Sequence, residues 1–374
     1  MLLVAEAIPE MDPAESESVR VWIGPLARRA TGGGRYIASI VTHSRHRFHV
    51  APEVPELLWG IRWAGRRLPF LRSTYPWYQR TIRRVQVAHV HRSTLYGEAF
   101  GTLGQRLPWI FTLHGITFEE HWKHRPEMAR WARFSTEASL RALERAAVAT
   151  VVSRWLKDYV EQRISATVEV TPPGVDFREF EREGSEAFLG WSGIPPGYVL
   201  WVGRLAHEKR PEWFIRLAER LPDREFVMLA NDEDAKFRSL CGGRPPPNLH
   251  YFGLAPRRLV VSAFHACSVH VNTSLYEASG TTLVEAMACA KPVVAPDHPG
   301  PKEVVDDSGG GFTFAVESFS DLVEQVLRAL DRPDVGRVGL AFARAHRDWR
   351  RLVPFFDKVY ADLAGSRHPR RSSG

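Results

Sequence analysis

Cysteine is scarce in this chain: Cys241, Cys267 and Cys289 are the only three in 374 residues. Their spacing makes neither a disulfide framework nor a zinc site, so a reducing cytoplasm is the expected setting. Lysine is also rare, seven of fifty basic residues. No apolar run approaches the roughly 18 residues that span a bilayer. The amino terminus, MLLVAEAIPE, has no basic flank and reads as no signal peptide. A strand followed by G-x-G-x-x-G is missing, which argues against a dinucleotide fingerprint. No Asp-x-Asp stands at a strand end, so no metal is expected. No nucleic-acid recognition module is present either.

What is present is a core-forming composition, 44% hydrophobic and 25% charged, long enough for two domains. The net charge is +7, and it is uneven. Fourteen Arg and two acids (Glu53, Glu56) lie between Arg20 and Arg92. Excess base fits a phosphorylated substrate, an anionic lipid surface or a solvated arginine-rich face. The stretch from Trp59 to Arg84, with Arg62, Arg66, Arg67 and Arg83 among its aromatics, is where an anionic lipid surface or a lipid-linked or phosphorylated ligand is expected to bind. Its alternative is an ordinary helical hairpin with snorkelling arginines.

Short apolar runs alternate with Gly/Pro loops and helical stretches, the grammar of parallel α/β units. Strands are expected at 21–24, 47–50, 85–90, 109–113, 147–152 and 167–171. After a break at Pro172-Pro173-Gly174 they resume at 198–202, 225–229, 249–252, 269–272, 292–295 and 311–314. Helices are expected at 127–145, 211–220, 282–290 and 319–330, with a last one at 348–363. Two doubly wound domains facing a cleft follow, with ligands outside the carboxyl ends of the strands.

Four strand-end segments carry chemistry. In Glu277-Ala-Ser-Gly280-Thr281-Thr282-Leu-Val-Glu285 a loop leads into a helix start, whose free N–H groups suit phosphate. Thr282-x-x-Glu285 also reads as a capping box that needs no ligand. Gly203-Arg204 and Lys209 follow the strand at 198–202 and suit a diphosphate, or are simply two surface cations. Gly32-Gly33-Gly34 lets backbone approach a ligand. His114 ends the strand at 109–113 as a cleft residue or a structural one. Asp232-Glu-Asp234 reads as a solvated loop.

Together these segments resemble the retaining glycosyltransferases of family 4, over about Val21 to Leu363. Glu277 and Glu285 match the E-x7-E motif, and Gly203-Arg204 with Lys209 the G-R…K clamp. Pro173-Gly174-Val175-Asp176 resembles the interdomain segment, and Gly300-Pro-Lys-Glu303 the donor-sugar turn. Gly32–Gly34 and Thr112-Leu-His114-Gly115 hold the places of the nucleotide/acceptor loop and the T-x-H-G segment. Departures are Ala278-Ser279 after the first Glu, Ala290 where Gly is common, Pro173 for Asn and Pro299 for Gly.

The resemblance implies a GT-B fold. Residues 1–177 with 349–374 would form the acceptor domain and 178–348 the nucleotide-sugar domain, the last helix crossing back to the first. It implies metal-independent, retaining transfer from a nucleotide sugar, UDP-linked or alternatively GDP-linked, to an unidentified acceptor. Glu277 and His114 would be catalytic. Arg204, Lys209, Gly280, Thr281 and Thr282 would hold the diphosphate, Glu285 the ribose, and Gly300 with Glu303 the donor sugar. No cofactor, metal or nucleic acid enters, and peripheral contact with an anionic membrane is the further partner. The rival readings are a nucleotide-sugar 2-epimerase and a non-catalytic subunit of the same fold.

Overall fold

The computed structural model describes residues 18–26, 32–52, 84–91, 107–116 and 126–366. Within them the chain runs β1 (Arg20–Leu26), α1 (Gly32–His43), β2 (Arg47–Pro52), β3 (Val87–Val90), β4 (Trp109–Leu113), α2 (Pro126–Arg145), β5 (Val148–Val151), α3 (Arg154–Glu161) and β6 (Val168–Val170). Two short helices follow, α4 (Phe177–Arg182) and α5 (Glu186–Ser192). Next come β7 (Val199–Gly203), α6 (Pro211–Arg220), β8 (Phe226–Ala230), α7 (Asp234–Leu240), β9 (Leu249–Phe252), α8 (Arg257–Ala266) and β10 (Val269–Val271). The last elements are α9 (Thr281–Ala288), β11 (Val293–Pro296), α10 (Pro299–Ser308), β12 (Gly311–Phe314), α11 (Phe319–Asp331), α12 (Val335–His346) and α13 (Trp349–Gly365). Every strand expected from the apolar runs is present, its ends within two residues of expectation.

The strands form two six-stranded sheets, ordered β2-β1-β3-β4-β5-β6 and β12-β11-β10-β7-β8-β9. The pairs around β1 and around β7 are parallel, as are β10 with β11 and β11 with β12. Parallel neighbours require crossovers, which the helices supply. In each sheet the winding reverses once, between β1 and β3 in the first and between β7 and β10 in the second. Such a reversal leaves a crevice at the strands' carboxyl ends, where ligands bind.

Strands buried on both faces need apolar side chains on both. Along β8 every residue of Phe226–Ala230 is buried. Val199, Trp201, Phe226 and Met228 pack with Phe214 and Leu217 of α6 and Leu322 and Val326 of α11. Leu200, Val227, Leu229 and Val293 pack on the other face with Phe264 of α8, Leu283 and Met287 of α9 and Val304 of α10. This period-two alternation sorts one strand's side chains into two cores.

The chain divides into two compact units. One comprises Met1–Phe111, Ala146–Val148 and Val353–Gly374; the other comprises Thr112–Arg145 and Ala149–Leu352. The division falls inside β4, β5 and α13. From Val353 onward α13 belongs to the first unit, in keeping with the expected return of the last helix. There Tyr360 places its hydroxyl 2.7 Å from His89 Nδ1, and Phe356 packs beside His89 and Tyr36. His46 accepts the Val19 N–H at Nδ1, so its Nε2 carries the proton given to the Asp357 carbonyl. In the second unit, Trp349 N–H donates to Val175 and Val175 N–H to Arg347, which ties the start of α13 to the Pro173–Asp176 segment.

Among the described residues no helix is long and apolar enough to cross a membrane. The basic stretch 59–83 and the tail after 366 lie outside the described residues.

Candidate active site

The second sheet's reversal brings two loops side by side, one after β7 and one after β10. Gly203 ends β7 where a Cβ would stand 2.8 Å from the Trp201 ring, so the turn requires glycine. The next peptide is fixed from β8: Asp232 accepts the Leu205 N–H at 2.7 Å and pairs with Lys236 at 2.8 Å. Burial pushes the Asp232 carboxyl up, but these two bonds outweigh it and hold it below the ordinary range. Asp232 is therefore a built part of this turn, which corrects its reading as a solvated loop residue. Asp234 does sit at the surface, paired with Arg238. Arg204 is 57% exposed and pairs with Glu208 at 2.6 Å.

One turn of 3-10 helix, His207–Lys209, carries the chain to Arg210. Arg210 adopts φ +43, a left-handed conformation that costs a side-chain-bearing residue about 1–2 kcal/mol. Its burial shows what holds it there. Nε donates to the Thr273 carbonyl at 2.9 Å and Nη1 to the Val316 carbonyl at 2.6 Å, and the guanidinium lies over Trp213. Thr273 Oγ1 faces the carbonyls of Lys209 and Arg210 at 2.7 and 3.0 Å, and accepts the Trp201 indole N–H. Leu275 N–H donates to the Glu208 carbonyl. The β7 loop and the β10 loop are thus laced together, backbone to side chain.

This lacing sets Lys209 Nζ 2.5 Å from Glu277 Oε2. Ser274 Oγ and Asn272 Nδ2 approach the same oxygen at 3.2 and 3.4 Å. Burial pushes the Glu277 carboxyl up; the Lys209 charge and these donors outweigh it, so Glu277 is held below the ordinary carboxylate range. Both side chains keep about a fifth of their surface exposed, 20% for Lys209 and 22% for Glu277. The site therefore holds a charged pair that a solute can reach.

After Glu277 the chain turns at Gly280, φ +85, which is the N-cap of α9. The helix opens at Thr281, one residue earlier than expected, and no side chain caps it. Its first N–H groups, at Thr281 and Thr282, lack the side-chain cap that would otherwise satisfy one of them. The capping box that Thr282-x-x-Glu285 offered as the alternative does not form. Glu285 is buried, 2% exposed, with Oε1 2.9 Å from Arg257 Nη1. The helix also stops early, because Ala290 takes φ +55.

Gly300, early in α10, meets this loop directly: a Cβ there would stand 2.2 Å from the Glu277 carbonyl oxygen. Gly115 lies beside it too, its notional Cβ 3.2 Å from Ala278 Cβ, which brings the Thr112–Gly115 segment and half-buried His114 into this neighbourhood. Glu303 spends its two oxygens on the backbone N–H groups of Arg154 and Trp155, both at 3.1 Å. It acts in the structure as a cap on α3. Gly32, Gly33 and Gly34, expected in a loop, form the first turn of α1 just after β1. Among the described residues no group of three or more His, Cys, Asp or Glu is placed to hold a metal ion.

Sequence reasoning missed Arg210, Thr273, Asn272 and Arg257. The polar run Asn272-Thr273-Ser274 directly after an apolar strand was a readable signal. Arg210 and Arg257 gave none in a chain so rich in arginine.

Residues 193–338 match the family model described as "Glycosyl transferases group 1", and residues 28–179 that of "Glycosyltransferase Family 4". A D-inositol 3-phosphate glycosyltransferase of Paenarthrobacter aurescens (strain TC1) is 28% identical over 229 residues, covering 54% of each chain. The chain spans about half the length of the curated relatives it matches. Sucrose-phosphate synthase from Thermosynechococcus elongatus superposes with a TM-score of 0.78 at 17% identity, over 93% of this chain and all of that one (100%). HepE of Anabaena, solved with UDP-glucose, superposes at 0.71 and 16% identity, over 93% of this chain and 100% of its own. Two parallel sheets of this winding, matched across nearly the whole chain by those structures, define the GT-B class of α/β proteins. Both halves match glycosyltransferase models as well, and the chain belongs to family 4 of the glycosyltransferases.

Proposed function

We propose that this protein transfers a sugar from a UDP-linked donor to an acceptor hydroxyl with retention of anomeric configuration. The observation that carries the reading is the Lys209–Glu277 pair, built at the sheet's reversal from two interlaced loops. Breaking the donor's glycosidic bond puts negative charge on the diphosphate and positive charge on the anomeric carbon. Lys209, Arg204 and the N–H groups of Gly280 to Thr282 meet the first. Preoriented donors of this kind supply the largest part of such catalysis. Glu277, ionised because Lys209 stands beside it, meets the second and holds a donor hydroxyl. The incoming diphosphate draws Lys209 toward itself and leaves the carboxylate to face the sugar. His114 borders the sugar with its backbone carbonyl, and Glu285 accepts the ribose hydroxyls. HepE's complex with UDP-glucose supports uridine as the base.

The cations take the place of a metal in this scheme, so transfer persists in EDTA. Loss of activity restored by Mg²⁺ or Mn²⁺ would count against it. The deciding experiment is a thermal-shift screen of nucleotide sugars followed by NMR of the product's anomeric proton. A nucleotide at a hundred times its Kd adds about 2.7 kcal/mol of stability. An inverted anomer, or epimerised donor with no transfer, sinks the proposal.

A further inference from the structure

The residue assigned to the ribose is gripped by an arginine that the E-x7-E motif does not include. Arg257, the first residue of α8, has Nη1 2.9 Å from Glu285 Oε1. Its Nε and Nη2 donate to the two oxygens of Glu179 on α4, both at 2.9 Å. The three side chains differ sharply in exposure: Glu285 2%, Arg257 30% and Glu179 36%. The carboxylate at the bottom is thus enclosed, and its counter-ion is anchored from outside by a two-pronged bond.

The neighbourhood explains why Glu285 needs this cation. His270 is fully buried and gives its Nδ1 proton to the Leu200 carbonyl. Burial pushes it down to about 4, so it is neutral at physiological pH and supplies no charge. Cys267 and Cys289 are buried thiols held protonated by the same burial. Burial lowers the Arg257 guanidinium too, but the charges of Glu285 and Glu179 outweigh it and keep it charged. A buried carboxylate without its partner is strongly unfavourable. The planar fork of arginine, unlike lysine's point charge, also fixes direction.

We propose that Arg257 is a positioning residue of the nucleotide site, orienting Glu285 for the ribose hydroxyls while Glu179 braces it from α4. The inference rests on the reading of Glu285 as the ribose-binding carboxylate. A hydroxyl meeting a rigid, water-poor carboxylate gains a charge-assisted bond that a mobile one would not give.

The test measures ribose preference: binding of UDP against 2′,3′-dideoxy-UDP by calorimetry, with the GDP pair alongside. The wild-type protein is expected to favour the ribonucleotide about tenfold or more, the worth of a hydrogen bond to a charged group. Arg257→Lys keeps the charge and loses the fork, and is expected to lose most of that preference. Glu179→Gln loses part of it. Arg257→Met strands Glu285, so its melting curve is read first. The double variant Arg257→Met/Glu285→Gln removes the stranded charge and is expected to melt higher than Arg257→Met yet show no ribose preference. A purely structural arginine would weaken both nucleotides equally, and that result overturns the proposal. A wild-type protein with no ribose preference overturns the reading of Glu285 itself. Preference retained in both Arg257→Lys and Glu179→Gln overturns only the role of Arg257.

Discussion

Each sheet reverses its winding once, after β2 in the first and after β9 in the second, and the two differ in what stands at the reversals. After β7 and β10 the chain places ionised side chains whose positions are fixed from three directions: Asp232 holds the Gly203–Leu205 turn, Arg210 anchors the chain just after Lys209 to the Thr273 carbonyl, and Thr273 Oγ1 reaches the carbonyls of Lys209 and Arg210. After β1 it places three glycines in the first turn of α1, with no acidic side chain there. After β3 it places His91, buried at 5% exposure. A leaving diphosphate needs charge at a set place, whereas a hydroxyl acceptor needs shape. Under the proposed function, bond breaking falls to the second sheet's loops and acceptor fit to the first's.

The largest expected effect tests that assignment directly. Glu277→Gln keeps the shape and removes the charge opposite the anomeric carbon. Its kcat should fall on the order of 100-fold or more, with donor affinity little changed. His114→Ala, in the β4 segment, should cost less. Steady-state kinetics on both variants decide, and a larger kcat loss for His114→Ala reverses the comparison.

Next in size is Lys209→Met, expected to lower kcat/KM for the donor by about 10- to 100-fold, as for a lost charged hydrogen bond. Its pH profile is more telling. In the wild-type protein Lys209 holds Glu277 below its ordinary pKa, so the carboxylate stays ionised well into acid. A carboxyl depressed on folding contributes stability that is present above its unfolded pKa and is lost as pH falls through the folded one. Without Lys209 the Ser274 and Asn272 donors still act downward, but burial, the largest influence, acts upward and loses its main opponent. The acid limb of kcat should therefore move to higher pH in Lys209→Met, and stability at neutral pH should drop. An unmoved acid limb would mean that Glu277 is not the group titrating.

A third substitution confines itself to the first unit. Tyr360→Phe removes the hydroxyl 2.7 Å from buried His89. Leaving His89 Nδ1 without this partner should cost about 1–3 kcal/mol in denaturant titration. UDP affinity should be untouched. A fall in donor kcat/KM comparable with that of Lys209→Met would show that the two regions do not divide their labour.

The second sheet's site was largely legible because its chemistry is written in charged side chains at strand ends. Lys209 and Glu277 stood out by their strand-end positions and were assigned to the site by the resemblance to family 4, and the structure sets them 2.5 Å apart. The supporting residues were not legible for two reasons. Arg210 and Arg257 are chosen by long-range partners, Thr273 and Val316 for one and Glu179 and Glu285 for the other. No local pattern encodes such pairings. Thr282-x-x-Glu285 is the opposite case: the local pattern for the alternative capping box was complete, but Gly280 took the cap and tertiary pairing claimed the glutamate. In the first half the strands were equally readable, since burial on both faces demands apolar runs. Its binding features were not, because glycines specify backbone freedom and no particular ligand.

The smallest expected effect concerns a departure that the sequence displayed without its reason. Ala290 stands where glycine is common in this family, and its φ of +55 shows why glycine is favoured there. It ends α9, and its carbonyl oxygen lies against Gly336 of α12, where a Cβ would stand 2.2 Å away. An alanine in the left-handed region carries about 1–2 kcal/mol of strain. Glycine relieves it, but adds about 0.4–1 kcal/mol of unfolded-chain entropy. Ala290→Gly should therefore stabilise the protein by about 0.5–1 kcal/mol net, read as a small rise in Tm. Ala290→Val, β-branched and worse in this conformation, should lower Tm by more than glycine raises it. Neither should move donor kinetics, since α9 keeps its Gly280 start and only its far end changes. A fall in Tm for Ala290→Gly would mean that packing around the alanine methyl outweighs the backbone strain.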